Sequence, residues 1–164
     1  MKRSPIIGVM GGGQVSEEIA DLARDLGRAL AREGWIVLSG GRNTGVMAAV
    51  SEGAANDNGV VVGILPDKNL EQASPHLTIP IRTGLGDSRN IVNILSSDVV
   101  VALPGSAGTL SEIALAIKND KPLLLLGWKQ PPIILHDHET ATSLHSIVEV
   151  VDRIKELLSA HQGA

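Results

Sequence analysis

The 164-residue chain has no cysteine, no phenylalanine and no tyrosine, and it has only two tryptophans. The absence of cysteine excludes disulfides, thiolate catalysis and zinc–thiolate sites. Proteins that bind single-stranded nucleic acid stack bases on aromatic side chains, and this composition supplies almost none. The formal net charge of −4 also leaves no basic footprint for DNA or RNA. We therefore expect no nucleic acid among the partners of this protein.

Long apolar runs are also missing. The longest ones, such as 99–103, are far shorter than the roughly 20 residues that a membrane-spanning helix needs. The basic start of the chain is followed by an apolar run that ends at Met10 and breaks into three glycines, which is too short for a signal peptide. These features predict a cytoplasmic protein without membrane contact.

What the chain does have is an alternation of apolar runs and segments with helical periodicity. Hydrophobic residues make up 43% of the chain, enough for one packed domain over residues 1–164. Strands are predicted at 6–10, 35–38, 60–64, 78–81, 99–103 and 122–126, and helices start near Ser16, Thr44, Asp87, Thr109 and Leu144. Unbroken apolar strands are typical of a parallel sheet covered by helices on both faces. We predict an α/β fold: a Rossmann-like, doubly wound parallel sheet in a three-layer α/β/α single domain.

Three predicted strands end in glycine-rich turns that lead into helices. The turns contain, in chain order, Gly11, Gly12 and Gly13; Gly40, Gly41 and Gly45; and Gly105, Ser106, Gly108 and Thr109. Free N–H groups and the positive ends of helix dipoles then face one crevice, which favours a phosphate. A single turn of this kind is as readily explained by tight strand-to-helix geometry. Three such turns at one sheet edge favour a phosphate-binding site.

Two common nucleotide sites are excluded by the residues around these glycines. The dinucleotide motif G-x-G-x-x-G lacks its third glycine here, because Ser16 stands in that place. The second predicted strand is followed by Ser39 and Gly40, which supply no carboxylate for a ribose. A P-loop needs a lysine after its last glycine, but Val46 and Thr109 follow Gly45 and Gly108.

Arg89 and Glu112 are the candidate catalytic residues. Arg89 lies in the first turn of a predicted helix, where the dipole disfavours a cation, so it could clamp a phosphate or pair with a carboxylate instead of being a solvated arginine. Glu112 follows the third glycine turn by one helical turn. The apolar positions of that helix (Leu110, Ile113, Ala114 and Ile117) place Glu112 off the core-facing stripe. A dipole-favouring surface glutamate explains Glu112 about equally well.

Two other segments are rich in polar residues. His136, Asp137, His138 and Glu139 could ligate a metal, but no second cluster lies at ligand spacing, so a polar turn is favoured and no metal is expected. Residues 66–76 are too many for a plain turn and are interpreted as a lid or specificity loop.

Residues 104–112 (PGSAGTLSE) resemble the P-G-G-x-G-T-x-x-E signature of the LONELY GUY superfamily, a group also called lysine decarboxylase-like. Residues 38–47 (LSGGRNTGVM) are similar to its second glycine-rich element, and 86–90 (GDSRN) to its arginine element. The longer stretch 83–90 looks more like the molybdenum-cofactor-carrier branch.

The resemblance implies two alternatives. One is a carrier or sensor that holds a phosphate-bearing ligand, such as a nucleotide monophosphate or molybdenum cofactor, with no cofactor required. The other is a phosphoribohydrolase that cleaves the N-glycosidic bond of a purine riboside 5′-monophosphate. In that case residues 105–109 would hold the phosphate, Glu112 would stabilise the oxocarbenium charge or manage the attacking water, and Arg89 would orient ligand and carboxylate.

Two departures from the enzyme pattern favour the carrier. Asn90 stands where the enzymes have lysine, and Ser106 replaces the second motif glycine. Nothing marks Lys118 or Lys121 as a Schiff-base lysine, so lysine decarboxylation is not expected. Relatives of this superfamily form dimers or tetramers, which implies a homodimer or homotetramer.

Overall fold

A computed structural model describes residues 3–130, 132 and 141–160. Seven strands and five α-helices are found in these residues, with a short 3₁₀ helix (Gly86–Arg89) directly before the third α-helix. The strands are β1 (Ile6–Met10), β2 (Ile36–Ser39), β3 (Val61–Leu65), β4 (Ile79–Arg82), β5 (Val99–Ala102), β6 (Leu123–Leu126) and β7 (Ala141–Leu144). The helices are α1 (Glu17–Arg32), α2 (Gly45–Asn56), α3 (Asn90–Ser96), α4 (Ala107–Lys118) and α5 (Ile147–Ala160).

The strands form one sheet in the order β4-β3-β2-β1-β5-β6-β7, and every neighbouring pair is parallel. The chain moves outward from β1 to β4 on one side and returns to add β5, β6 and β7 on the other. The predicted doubly wound α/β fold is therefore confirmed. Its switch point lies between β1 and β5, where ligands bind in open sheets of this kind.

Two apolar cores lie on opposite faces of the sheet. The larger core packs α1, α2 and α5 on one face, with Leu26, Val50 and Ile154 fully buried. The smaller core packs α3 and α4 on the other face, around Ile94 and Ile113. Helices on both faces explain why most of the predicted strands are unbroken apolar runs.

The limits of α1 follow from its sequence. The Ser16 hydroxyl accepts a hydrogen bond from the Ile19 N–H at 3.4 Å, and two glutamates occupy the first turn. Gly34, with φ +73°, lets the chain leave the helix in a left-handed conformation.

The prediction for the end of the chain was wrong in one respect. Leu144 belongs to the strand β7 and not to the last helix, which begins at Ile147. β7 is a sheet edge of four residues, none of them fully buried, so its sequence carries no continuous apolar run to reveal it. Within the described part of the chain, no helix is both long and apolar enough to cross a membrane.

Candidate functional site

The three glycine turns meet at the carboxyl edge of the sheet. The Gly12 N–H donates to the Pro104 carbonyl at 3.0 Å, and the Val46 N–H donates to the Gly12 carbonyl at 3.0 Å. A Cβ atom on Gly12 would lie 3.1 Å from the Gly105 Cα, and one on Gly105 would lie 2.7 Å from the Gly12 nitrogen. The turns are thus joined through their backbones, and side chains at Gly12 and Gly105 would force them apart.

A cleft of about 150 Å³ opens above this junction. Eight of the twelve predicted site residues line it: Gly11, Gly12, Gly13, Arg89, Ser106, Gly108, Thr109 and Glu112. Met47, Asp87 and Asn90 complete the lining. Residues far apart in sequence therefore converge on one cleft at the switch point of the sheet.

The other predicted residues lie behind the cleft wall. Gly40 contacts Arg89: its carbonyl accepts from Nη2 at 3.4 Å, and a Cβ there would lie 2.7 Å from the same atom. Gly45 has φ +52°, and its Cβ would lie 2.1 Å from the Gly12 carbonyl oxygen. Gly41 packs against Gly63 with φ +78°. Together with Gly105, these glycines allow the close backbone packing behind the cleft. That they contact a ligand stays a prediction.

The N-terminus of α4 supplies hydrogen-bond donors. The first bond within this helix runs from the Leu110 N–H to the Ser106 carbonyl at 3.0 Å, so the N–H groups of Ala107, Gly108 and Thr109 precede it. The first turn has no acidic residue, and the Ser106 side chain makes no capping bond. A Cβ on Gly108 would meet no atom within 4 Å, so this side of the helix is open. These donors and the helix dipole favour an anion.

Arg89 is buried, with 8% of its surface exposed, and is not a solvated arginine. One guanidinium nitrogen, Nη1, donates to the Asn90 amide oxygen and lies 3.9 Å from the Glu112 Oε1. Burial lowers the pKa of Arg89, and the nearby Glu112 partly opposes that effect. Its Nε has no hydrogen-bond partner among the described residues.

Glu112 lies on the buried face of α4, contrary to the helical periodicity of the apolar residues. It is 6% exposed and shares this face with Ile113 and Ala116, whereas Leu110 is 43% exposed. The reason is that the first turns of α4 pack against polar residues of α3 as well as against the sheet. Burial raises the pKa of Glu112 to about 7, although a hydrogen bond from Asn93 and the charge of Arg89 act in the opposite direction.

Sequence reasoning missed the two asparagines that hold these charged residues. The Asn90 Nδ2 donates to the Ser111 hydroxyl at 3.0 Å, while its oxygen accepts from Arg89. Asn93 is fully buried, and its Nδ2 donates to the Glu112 Oε1 at 3.1 Å. The available signal was two amides three residues apart on an otherwise apolar helix, which places them on one face. Asp87, predicted as the start of a helix and not as a site residue, also lines the cleft.

The segment 66–76 is fastened to the second glycine turn. The Ser74 N–H donates to the Gly41 carbonyl at 2.8 Å, and the Asn43 N–H donates to the Gln72 carbonyl at 2.9 Å. Arg42 adds an ion pair to Asp67 at 2.9 Å. This anchoring argues against a freely moving lid.

The predicted polar turn that contains His136, Asp137, His138 and Glu139 lies outside the described residues. Across residues 3–130, 132 and 141–160, no three His, Cys, Asp or Glu side chains are grouped as a metal site would require.

The fold and the cleft define a Rossmann-like α/β protein with a polar, amide-rich cleft at the switch point of its sheet. Comparison with known families is consistent with this class. The chain belongs to the SLOG cluster4 family, whose model matches residues 4–157. The resemblance to the LONELY GUY superfamily and its molybdenum-cofactor-carrier branch is confirmed.

Several known proteins are similar over nearly the whole chain. The molybdenum cofactor binding protein of Rippkaea orientalis is 42% identical with a TM-score of 0.89, covering 96% of this chain and 99% of that one. The molybdenum cofactor carrier protein of Chlamydomonas reinhardtii is 39% identical with the same TM-score and coverage. The cytokinin riboside 5′-monophosphate phosphoribohydrolase of Mycobacterium tuberculosis is 28% identical over 87% of this chain and 85% of its own length.

Proposed function

We propose that this protein is a carrier or sensor that binds a phosphate-bearing ligand, either a nucleotide-like or a pterin phosphate of the molybdenum cofactor type, without consuming it. The observation that carries the proposal is the open N-terminus of α4 at Gly108, which faces a cleft containing the buried Arg89. The molybdenum cofactor proteins at 42% and 39% identity support the ligand class.

The phosphate would be bound mainly by backbone. The N–H groups of Ala107, Gly108 and Thr109 donate to its oxygens, and the helix dipole favours its charge. Arg89 provides the positive charge of the cleft, while its Nη groups are held by Asn90 and Gly40. A volume of about 150 Å³ is below the roughly 300 Å³ at which sites begin to enclose a whole drug-sized ligand. The cleft would therefore enclose the phosphate, and the ring system would extend through its opening.

Binding can be tested with the variant Gly108→Val. The purified protein is mixed with molybdenum cofactor, passed over a size-exclusion column, and analysed for molybdenum in the protein peak. The wild-type protein should retain molybdenum, and the variant should lose most of it, because the new side chain fills the cleft. Leu110→Val changes an exposed position on the same helix and should behave as wild type. Equal retention by Gly108→Val would place the ligand elsewhere.

A second candidate function is the phosphoribohydrolase reaction, and the ionisation of Glu112 favours it. A carboxyl with a pKa of about 7 can give and take protons at neutral pH, which suits general acid–base catalysis. In this reaction the oxygen of water bonds to C1′ of the ribose, the C1′–N bond breaks, and the base nitrogen receives a proton. The buried Glu112 and Arg89 lie within one cleft, as the reaction requires.

The two functions are separated by incubating the protein with AMP and measuring free adenine by chromatography. A carrier should release no adenine above the buffer control while still binding the nucleotide. Turnover that disappears in Glu112→Ala would overturn the carrier proposal and establish the hydrolase.

A further inference from the structure

Asn93 is a buried amide that uses only one of its two ends. It lies on α3 with no exposed surface, and its Nδ2 donates to the Glu112 Oε1 at 3.1 Å. Its Oδ1 has no hydrogen-bond partner within the described residues. A buried carbonyl oxygen without a partner carries a desolvation penalty, so the position of this amide calls for a physical reason.

The orientation of the amide matches an ionised Glu112. A carboxylate has only acceptor atoms, so the amide nitrogen must face it. A protonated carboxyl has an O–H donor, and the amide oxygen would then be the better partner. Turning the Asn93 amide over exchanges its two ends with little change in shape. The same residue can therefore partner Glu112 in either protonation state.

The charged groups around Glu112 indicate what would change its protonation. The 3₁₀ helix contributes Arg89 and Asp87, and α3 contributes only the neutral Asn90 and Asn93. The first glycine turn, the third glycine turn and Met47 of α2 bring no charged side chain to the cleft lining. Among the residues that the structure describes, Arg89 is thus the one cation in this lining, opposed by two carboxyl groups. A bound dianion would add negative charge beside Glu112 and favour its neutral form.

We propose that Asn93 and Glu112 form a proton-linked pair, in which binding of an anion in the cleft is accompanied by proton uptake at Glu112 and reversal of the Asn93 amide. This inference rests on the proposed function, since it requires an anion to bind. It makes Asn93 a positioning residue for Glu112. The raised pKa of Glu112, about 7, supports the pair because both protonation states are then accessible near neutral pH.

The test uses inorganic sulfate, an anion that the protein cannot hydrolyse and that stays fully ionised near neutral pH. Protein with ¹³C-labelled glutamate is titrated with sulfate at about pH 6.5 and about pH 8.5 by NMR. The Glu112 carboxyl shift should move towards that of the protonated acid as sulfate binds. The Kd should rise up to tenfold for each pH unit above the midpoint of Glu112.

Two variants make the result specific. Glu112→Gln has no titrating group at this position, so its Kd for sulfate should not change between the two pH values. In Asn93→Leu the loss of the amide donor should move the midpoint of Glu112 upward, which a purely structural role for Asn93 would not do.

The possible outcomes differ in meaning. Binding with the same pH dependence in wild type and Glu112→Gln overturns the proton-linked pair and leaves the proposed function standing. An unchanged midpoint in Asn93→Leu overturns the role of Asn93. If neither sulfate nor molybdenum cofactor binds the wild-type protein at either pH, the proposed function fails and the coupling fails with it.

Discussion

Replacing Glu112 by glutamine should stabilise the folded protein in a pH-dependent way. Glutamine keeps the size of the side chain and removes its ability to ionise. In the folded protein burial holds the pKa of Glu112 at about 7, above its usual value of 4.5. The unfolded chain therefore releases this proton at lower pH than the folded protein does, so ionisation favours unfolding between those two values.

The size of the effect follows from the two pKa values. Below pH 4.5 both states are protonated and Glu112 contributes no pH-dependent penalty. As the pH rises through about 7, the folded protein loses stability that approaches about 3 kcal/mol. Between pH 5 and pH 8 we expect the stability of the wild-type protein to fall by about 2.5 kcal/mol relative to Glu112→Gln.

Urea unfolding followed by circular dichroism at pH 5 and pH 8 measures this difference for both proteins. Glu71→Gln is the matched control, because Glu71 is exposed and the same carboxyl-to-amide change occurs in solvent. For that control, the difference from wild type should be the same at both pH values. If the gap between wild type and Glu112→Gln is also constant, the burial of Glu112 does not control its ionisation.

Three further predictions concern the scaffold. Gly45→Ala should lower the free energy of unfolding in urea by more than about 2 kcal/mol, because strain at φ +52° adds to an overlap of the new Cβ with the Gly12 carbonyl oxygen. Gly34→Ala, at φ +73° but with no atom near the new Cβ, should cost only about 1 kcal/mol. Trp128→Phe should cost about 1 kcal/mol in thermal unfolding, because it removes a 2.8 Å hydrogen bond from the indole to a carbonyl of β5. Arg42→Ala should lower the free energy of unfolding by less than about 1 kcal/mol, because the ion pair with Asp67 is partly exposed. Limited proteolysis should still find residues 66–76 protected, because their backbone hydrogen bonds to the second glycine turn remain.

The sheet could be predicted from the sequence because its central strands are continuous apolar runs, which fit few positions other than a buried strand. All four residues of β5 are buried, and a run of four β-branched and small apolar residues between turns is difficult to place anywhere else. β7 has no such run because its edge position leaves its side chains partly exposed, so its strand nature depends on pairing with β6.

The parts of the candidate site that are formed by backbone could be predicted from the sequence. The parts that depend on contacts between side chains of different helices could not. Glycine-rich turns at strand ends carry their own signal, and half of the eight predicted glycines line the cleft. The burial of Glu112 depends on Asn93 facing it from another helix, and no local pattern in either segment records that contact. Apolar periodicity identifies the side of a helix that faces the sheet, but it cannot detect a polar partner on a neighbouring helix.

The two backbone hydrogen bonds through Gly12 have a consequence for how the cleft would select a ligand under the proposed function. These bonds hold the glycine turns together by main-chain atoms alone, so the backbone that would contact a ligand is preorganised. Ligand binding would therefore cost little loop entropy. Discrimination between ligands would then fall to the exposed side chains of the lining, Asp87 and Ser106. Substitutions at these two positions should change ligand selectivity and leave the backbone of the glycine turns intact.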